Sequence, residues 1–277
     1  MYFSKIETAA DLSVTYTSNF SIKYVLQGEE QYTLDGKRHT PKAGQYLIIN
    51  DEREVETQPV QGSVGISVFL DKTLIAEAYH ALTHTDETLL DQGHSLSPLP
   101  NPEFFEHPLA HHDLLGDALK SLAAPIVANP QAAQTLHKET YYLMAEMVVR
   151  SQKQVTDSIS RITRVKKSTR DELYRMALLA REYLREHATE ECNLDALSQY
   201  VGLSKYHLIH VFRSAFGQTP YQYYLHCKVH RAQEYLRHGA LSQGEIAALC
   251  GFNDVYAFSK TFKKLTGTTP SAFRTGW

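Results

Sequence analysis

Two short segments near the carboxyl end carry side chains that can hydrogen-bond to DNA bases and phosphates. They span 204–216 and 254–266 and are offset by 50 positions, so that Tyr206 matches Tyr256 and His210 matches Lys260. Lysine can donate to guanine O6 and N7, and a tyrosine can touch a thymine methyl group with its ring or a phosphate with its hydroxyl. The chemistry that these segments indicate is therefore recognition of a nucleic acid.

Apolar residues recur at intervals of three and four in both segments, which predicts two amphipathic helices. The inward faces are Leu208, Val211, Phe212 and Ala215 in the first copy and Phe258, Phe262 and Leu265 in the second. The outward residues are the predicted DNA contacts: Lys205, Tyr206, Ile209, His210, Arg213, Val255, Tyr256, Ser259, Lys260 and Lys263. Arg213 and Lys263 come late on each helix, where phosphate contact is favoured. Ile209 cannot hydrogen-bond, so readout there is apolar.

Each copy follows a short apolar segment that ends in glycine, namely 197–202 and 246–251. A helix, a glycine turn and a second helix form the unit that places its second helix in the major groove. Ser204 can cap the first recognition helix, and Gly217 can end it.

The other predicted helices of this region surround the two copies. Thr169 and Glu172 form a capping box for a helix to about 187, Asn193 caps the helix before Gly202, and Ser242 and Glu245 form a second box. A long helix over 221–238 lies between the copies.

Residues 1 to about 70 are predicted to be strands, which suggests a small β-sandwich or barrel. Residues 22–26, 31–34, 46–49 and 64–70 are rich in β-branched and aromatic side chains. Asp35-Gly36 is typical of a tight hairpin turn between Tyr32 and His39.

From residue 71 onward the pattern becomes helical, with helices predicted over 72–82, 109–128 and 131–152 and a proline-rich loop over 93–108. One face of the last helix is apolar, and it is equally well read as core or as a dimer surface: Leu136, Thr140, Leu143, Met144, Met147 and Val148. The polar, basic stretch 153–168 is predicted to be a linker. It divides the chain into a domain over 1–152, to which the family resemblance given below assigns sensing and dimerisation, and a DNA-binding domain over 169–277.

Charge differs strongly between the two halves of the chain. Residues 1–160 have a net charge of −10 and residues 161–277 a net charge of +7, so that only the second half attracts phosphate. No stretch of about 18 apolar residues predicts a membrane span. The amino terminus has no secretory pattern, and three widely spaced cysteines fit a reducing cytoplasm.

Enzymatic and metal chemistry finds little support in the histidine pattern. A metal-dependent enzyme built on strands needs several ligands close together, and His39 is the only histidine in residues 1–70. Histidine pairs with i, i+4 spacing, such as His226 and His230, lack the adjoining glutamate or third ligand. We therefore expect no enzyme, no metal site and no cofactor.

Residues from about 170 to 277 resemble the DNA-binding domain of the AraC/XylS-type transcription regulators. The second copy carries the family signature at the positions Ile246-Ala247, Gly251-Phe252, Phe258, Phe262-Lys263-Lys264, Gly267, Thr269-Pro270-Ser271 and Phe273-Arg274. The resemblance implies two helix-turn-helix units with recognition helices in adjacent major grooves, about 34 Å apart along the duplex. Carried over by position, Tyr206, Ile209 and His210 read bases in the first unit, and Val255, Tyr256 and Lys260 in the second.

The amino-terminal part resembles, at 24–29 and 41–46, the cupin-like effector domain of the same family. The fold class expected is therefore α+β in two domains: a cupin-like β-sandwich or barrel with helices, then an all-α pair of helix-turn-helix units. Candidate effector contacts are Tyr24, Tyr32, His39 and Tyr46, although the same tyrosines are equally consistent with core or rim.

The predicted function is sequence-specific binding of double-stranded DNA by an activator of transcription that is controlled by a small molecule. The expected partners are a second copy of the chain, in a homodimer, and RNA polymerase. Two alternatives stay open: an effectorless regulator whose sheet domain only dimerises, and a binding module that has lost DNA function.

Overall fold

The computed structural model describes residues 5–8, 13–58, 60–83, 102–110, 113–163, 167–239 and 241–275 of the 277-residue chain. They form two compact units, Met1–Thr156 and Asp157–Trp277. The first contains two β-sheets with helices and the second is helical, which confirms the α+β two-domain class. The predicted domain boundaries and the cupin-like character of the first unit stay predictions.

Antiparallel strands build the first unit as two sheets. The strands are β1 (Lys5–Thr8), β2 (Val14–Ser18), β3 (Ser21–Gln27), β4 (Gln31–Leu34), β5 (Lys37–His39), β6 (Gln45–Ile49), β7 (Arg53–Gln58), β8 (Val64–Phe69) and β9 (Leu109–Ala110). One sheet has the order β1-β8-β3-β6-β9 and the other β2-β7-β4-β5. Asp35 and Gly36 both have positive φ, 48° and 78°, which fits the tight turn predicted between β4 and β5.

The two sheets pack face to face. One buried cluster combines Tyr32, Leu34 and Val55 of the second sheet with Leu47 and Ile49 of the first. Because strand residues alternate between faces, the neighbours of Leu47 point away from this interior. The predicted sandwich is thereby confirmed.

Helices follow the strands: α1 (Lys72–Thr83), α2 (Leu114–Ala128), a 3₁₀ helix (Pro130–Thr135) and α3 (Lys138–Ser160). The predicted helix starts at 109 and 131 are wrong, because Leu109 and Ala110 pair with β6 and because Leu136 is extended (ψ 132°) between the 3₁₀ helix and α3. The α3 helix also runs through the first half of the stretch predicted as a linker. The part of the predicted 93–108 loop before residue 102 lies outside the described residues.

The apolar face of α3 divides between interior and solvent. Met144 and Val148 are buried, whereas Leu143 is 54% exposed. The buried members are therefore core, and the exposed ones leave the dimer interpretation open.

The second unit contains α4 (Lys167–Glu186), α5 (Leu194–Val201), α6 (Lys205–Phe216), α7 (Pro220–His238), α8 (Gln243–Leu249), α9 (Val255–Thr266) and α10 (Pro270–Thr275). Asn193, Ser204 and Ser242 cap helices as predicted. The box predicted at Thr169 is wrong, because α4 begins at Lys167 and encloses that residue.

Candidate nucleic-acid interface

The first helix-turn-helix consists of α5 and α6. Gly202 ends α5 in the left-handed conformation with φ 74°, and Ser204 Oγ accepts a hydrogen bond from His207 N at the start of α6. Leu208 and Phe212 of α6 are fully buried in one cluster with Leu197 of α5 and Tyr224 of α7. This packing fixes which face of α6 remains outside.

The second helix-turn-helix, α8 and α9, repeats this construction. Gly251 has φ 69° between the helices, and Asp254 Oδ1 accepts a 2.6 Å hydrogen bond from Ala257 N. Phe258 and Phe262 are fully buried against Ile246 of α8 and against α7. The inward faces predicted for both recognition helices are confirmed, with Leu265 only partly buried.

Helix α7 packs against both helix-turn-helix units and carries a buried lysine where they meet. Lys228 is 5% exposed, its ammonium donates to the Gly251 carbonyl oxygen, and it lies 4.5 Å from the Tyr224 ring centroid and 5.1 Å from that of Phe252. Burial lowers the pKa of Lys228 below its ordinary value, although Cys250 and Cys192 act in the opposite direction. Sequence reasoning missed this residue, because a lysine on a helix normally indicates a solvated face.

Gly251 is also in contact with the loop between α4 and α5. A Cβ at this position would overlap the Thr189 carbonyl oxygen and lie 2.7 Å from the carbonyl carbon. The turn of the second helix-turn-helix is thus held between Lys228 and the loop that precedes the first helix-turn-helix, so that the two recognition helices have a defined relation to each other.

The outward residues of α6 form an accessible row. Tyr206 is 82% exposed, Lys205, His210 and Arg213 are exposed, and Ile209 is half-buried. Lys205 pairs with Asp195 of α5, with Nζ 2.6 Å from Oδ1. The structure therefore places in solvent four of the five predicted contacts of the first helix-turn-helix. One of the four, Lys205, is already paired with a carboxylate.

The outward row of α9 matches that of α6 in position and carries its two lysines later along the helix. Tyr256 is 75% and Val255 41% exposed, Lys260 and Lys263 are exposed, and Ser259 is half-buried. The Lys260 ammonium lies 6.0 Å from the Tyr256 ring centroid.

Residues 197–276 match the family model for a helix-turn-helix domain. This range begins within α5 and includes the rest of both helix-turn-helix units. This carboxyl-terminal segment is an AraC-type helix-turn-helix domain. The resemblance predicted from the second copy is thereby confirmed for the segment.

Curated relatives match over about a third of the chain. The MmsAB operon regulatory protein of Pseudomonas aeruginosa is 35% identical over 92 residues, which is 33% of this chain and 30% of that protein. The bifunctional transcriptional activator and DNA repair enzyme AdaA of Bacillus subtilis is 34% identical over 96 residues, 35% of this chain and 46% of that protein. The match thus spans less than half the length of these relatives.

A solved structure matches a similar share of the chain. It is the carboxyl-terminal domain of the two-component response regulator yesN from Fusobacterium nucleatum, which is 31% identical. The match covers 35% of this chain and 94% of that one, with a TM-score of 0.33.

Two of the four predicted effector contacts face the interior of the sandwich. Tyr32 and His39 are opposite each other on β4 and β5, and both are buried. The Tyr32 hydroxyl donates to Glu30 Oε2, and burial, followed by the nearby Glu30, raises the pKa of Tyr32 well above its ordinary value.

The other two predicted contacts face the helices instead. Tyr24 and Tyr46 are opposite each other on β3 and β6. The Tyr46 hydroxyl donates to Asp113 Oδ2 at 2.6 Å, at the start of α2, and lies 2.7 Å from Ser151 Oγ of α3. The four residues therefore do not line one pocket, because strand alternation places the two pairs on different faces of the sandwich.

The sandwich interior also contains two charged side chains that sequence reasoning missed. Lys23 is 2% exposed and donates to Ser67 Oγ at 3.2 Å, and Glu30 is 6% exposed. Burial raises the pKa of Glu30, whereas the Tyr32 hydroxyl and Lys23 lower it. Glu30 Oε1 has no hydrogen-bond partner among the described residues. The signal for Lys23 was its place between Ile22 and Tyr24, where alternation directs it to the same face as Leu47 across the strand pair.

Two features are absent from the described residues. No helix there is both long and apolar enough to cross a bilayer. Nor do three or more histidine, cysteine, aspartate or glutamate side chains come together there as metal ligands.

Proposed function

We propose that this chain is a sequence-specific DNA-binding regulator of transcription. The observation that carries the proposal is the pair of capped helices α6 and α9, whose buried faces match and whose outward rows are exposed at equivalent positions. A major groove accepts one α-helix, and the first turns of that helix reach base edges.

The outward residues divide by position into base readers and phosphate contacts. We assign base reading to Tyr206, Ile209 and His210 on α6 and to Val255, Tyr256 and Lys260 on α9. Lys205, Arg213, Ser259 and Lys263 are assigned to the phosphate backbone. Ile209 is half-buried and has no hydrogen-bonding group, so its contact is apolar, such as with a thymine methyl group.

A footprint of the full chain on the DNA upstream of its own gene tests the proposal and supplies an operator duplex. Fluorescence anisotropy then compares the wild type with the double variant His210→Ala, Lys260→Ala. We expect each lost base contact to cost roughly 1–3 kcal/mol of operator binding. The control, His230→Ala with Lys120→Ala, removes the same residue types from exposed positions outside the recognition helices and should bind normally. Unchanged operator binding by the first variant would remove the reader assignment.

We also propose that the first unit binds a small-molecule effector inside the sandwich. Support comes from Glu30 Oε1, a buried acceptor without a partner in the described part of the chain, and from Lys23, Tyr32 and His39 on the same interior. A buried polar atom without a hydrogen bond is costly, and a ligand that donates to it removes that cost. The alternative is an effectorless regulator in which the sheets serve only assembly.

Thermal unfolding against a metabolite panel separates these two possibilities, because a ligand of the folded state raises the melting temperature by mass action. A ligand that donates to Glu30 should lose most of its shift in Glu30→Gln. Phe105→Leu, a change outside the sandwich strands, should keep it. A panel without any hit favours the assembly role.

Assembly and the direction of regulation complete the proposal. We propose a homodimer, for which the exposed Leu143 of α3 offers apolar surface. We also propose activation of transcription, which the name of AdaA states for that protein, and we assign it to contact with RNA polymerase. We propose no enzymatic activity. Sedimentation at several concentrations tests the dimer, and transcription in vitro from the footprinted promoter distinguishes activation from repression.

A further inference from the structure

A cleft of about 330 Å³ lies within the second unit, between the start of α7 and one side of α9. Gln218, Gln222 and His226 form one wall, and Lys260 and Lys264 form the other. Lys260 belongs both to this cleft and to the outward row of α9. The cleft therefore adjoins the surface that we assign to base reading.

The charge of the cleft suits an anion. Lys260 and Lys264 are exposed, and neither forms an ion pair with a carboxylate among the described residues. The residues that line the cleft include no aspartate or glutamate. Two ammonium groups without a counter-charge favour an anionic ligand.

Gln222 adds a hydrogen-bond donor whose orientation is fixed. Its Oε1 accepts from Thr219 N at 2.8 Å and lies 3.1 Å from Thr219 Oγ1 in the capping box of α7. Because the oxygen is held by the helix start, the amide NH2 group of the same side chain is left to donate elsewhere. A fixed donor beside two lysines is a combination that binds a phosphate oxygen.

We propose that this cleft binds one phosphate of the DNA backbone, in the segment that passes between the two major grooves. The proposal rests on the proposed DNA-binding function and adds to it Gln222, His226 and Lys264. Two helix-turn-helix units joined through α7 leave a stretch of backbone between their grooves, and the cleft lies between these units. A contact there positions the protein on the duplex without reading sequence.

The test measures affinity of the full chain for the operator duplex and for a scrambled duplex over a salt series. Lys264→Ala should lower the salt slope by about 0.9, the value for one phosphate contact on B-DNA, and weaken both duplexes by the same factor. Gln222→Glu keeps the capping oxygen but replaces the donor with a negative charge, and it should weaken both duplexes without lowering the melting temperature.

Two controls carry the same charge changes outside the cleft. Arg231→Ala removes an exposed positive charge from α7, and Gln154→Glu adds a negative charge to α3. Both should retain the wild-type slope. If the wild type binds its operator and Lys264→Ala keeps the slope, the cleft proposal is overturned and the proposed function stands. A wild type without specific binding overturns both.

A second arm distinguishes the DNA backbone from free phosphate as the source of the anion. The imidazole resonances of His226, assigned with His226→Gln, should shift on addition of duplex and stay in place with millimolar inorganic phosphate. Saturable shifts with inorganic phosphate alone, or no shift with duplex, contradict the proposal.

Discussion

The two helix-turn-helix units have the same framework but a different distribution of charge. On α6, His210, Arg213 and Ser214 occupy the positions that Lys260, Lys263 and Lys264 occupy on α9. At the first residue of the two helices the lysine is on α6 instead, because Lys205 corresponds to Val255. This lysine already pairs with Asp195. From this comparison we expect the first helix-turn-helix to depend more on specific contacts with DNA, and the second to contribute more of the attraction to phosphate.

The turns of the two units differ in their surroundings as well. Gly202 and Gly251 have similar positive φ values, 74° and 69°. An added Cβ meets nothing within 4 Å at Gly202 but overlaps the backbone of Thr189 at Gly251. The turn at Gly202 needs glycine for its conformation alone, and the turn at Gly251 also needs it for the close approach of the Thr189 backbone.

The largest effect is expected from Gly251→Ala. The backbone of Thr189 cannot yield as a flexible side chain would. The unfolding free energy of the helical unit, Asp157–Trp277, should therefore fall by about 3 kcal/mol or more. Gly202→Ala is the matched control and should cost about 1 kcal/mol, since only its left-handed conformation is strained. Urea unfolding of both variants checks the difference, and equal losses would show that the two turns are equivalent.

Loss of the buried ammonium is expected to have the next largest effect. Lys228→Met removes the hydrogen bond to Gly251 and two ring contacts while it fills similar volume, and should lower the unfolding free energy by about 2 kcal/mol. Lys120→Met, an exposed lysine on α2, should change it by less than about 0.5 kcal/mol. A Lys228 variant as stable as the wild type would mean that the junction does not need this lysine.

The division of roles between α6 and α9 can be tested with two single variants. Tyr206→Ala should cost roughly 1–3 kcal/mol on the operator and little on a scrambled duplex. Lys263→Ala should weaken both duplexes alike and reduce the salt slope by about 0.9. Anisotropy over a salt series measures both quantities, and an exchange of the two patterns would reverse the assignment.

The smallest effect concerns the ion pair at the start of α6. Asp195→Asn releases Lys205 and should change stability by less than about 1 kcal/mol, because the pair is largely exposed. The released lysine becomes available to phosphate, so binding to any duplex should tighten and the salt slope should rise. Lys205→Ala in the same background removes this gain, and a gain that persists would have another cause.

The helical unit was largely predictable because local signals and packing agree. Ser204, Gly217 and the Ser242–Glu245 box mark helix ends in sequence, and the structure places the ends there. The Thr219–Gln222 box was missed although its pattern is of the same kind. Lys228 and the cleft could not be predicted, because both depend on how α7 packs against the second helix-turn-helix.

The sheet unit was predictable only where strands are apolar or turns distinctive. Strands β2 and β7 were missed, because both have weak apolar patterns. Most residues of β2 are exposed, and β7 contains two glutamates and a threonine. The effector residues were assigned by composition, and strand alternation then separated Tyr24 and Tyr46 from Tyr32 and His39. A tyrosine in a strand does not reveal which face it occupies until the neighbouring sheet is known.

The enclosed amine of Lys228 has a consequence for chemical labelling. Acylating reagents attack an uncharged, accessible amine, and here aromatic rings and a peptide oxygen shield the nitrogen. Among the described lysines of the helical unit we expect this one to be acetylated last, at a rate set by local opening of the fold. The extent of its acetylation, measured by mass spectrometry, therefore reports whether the junction is intact.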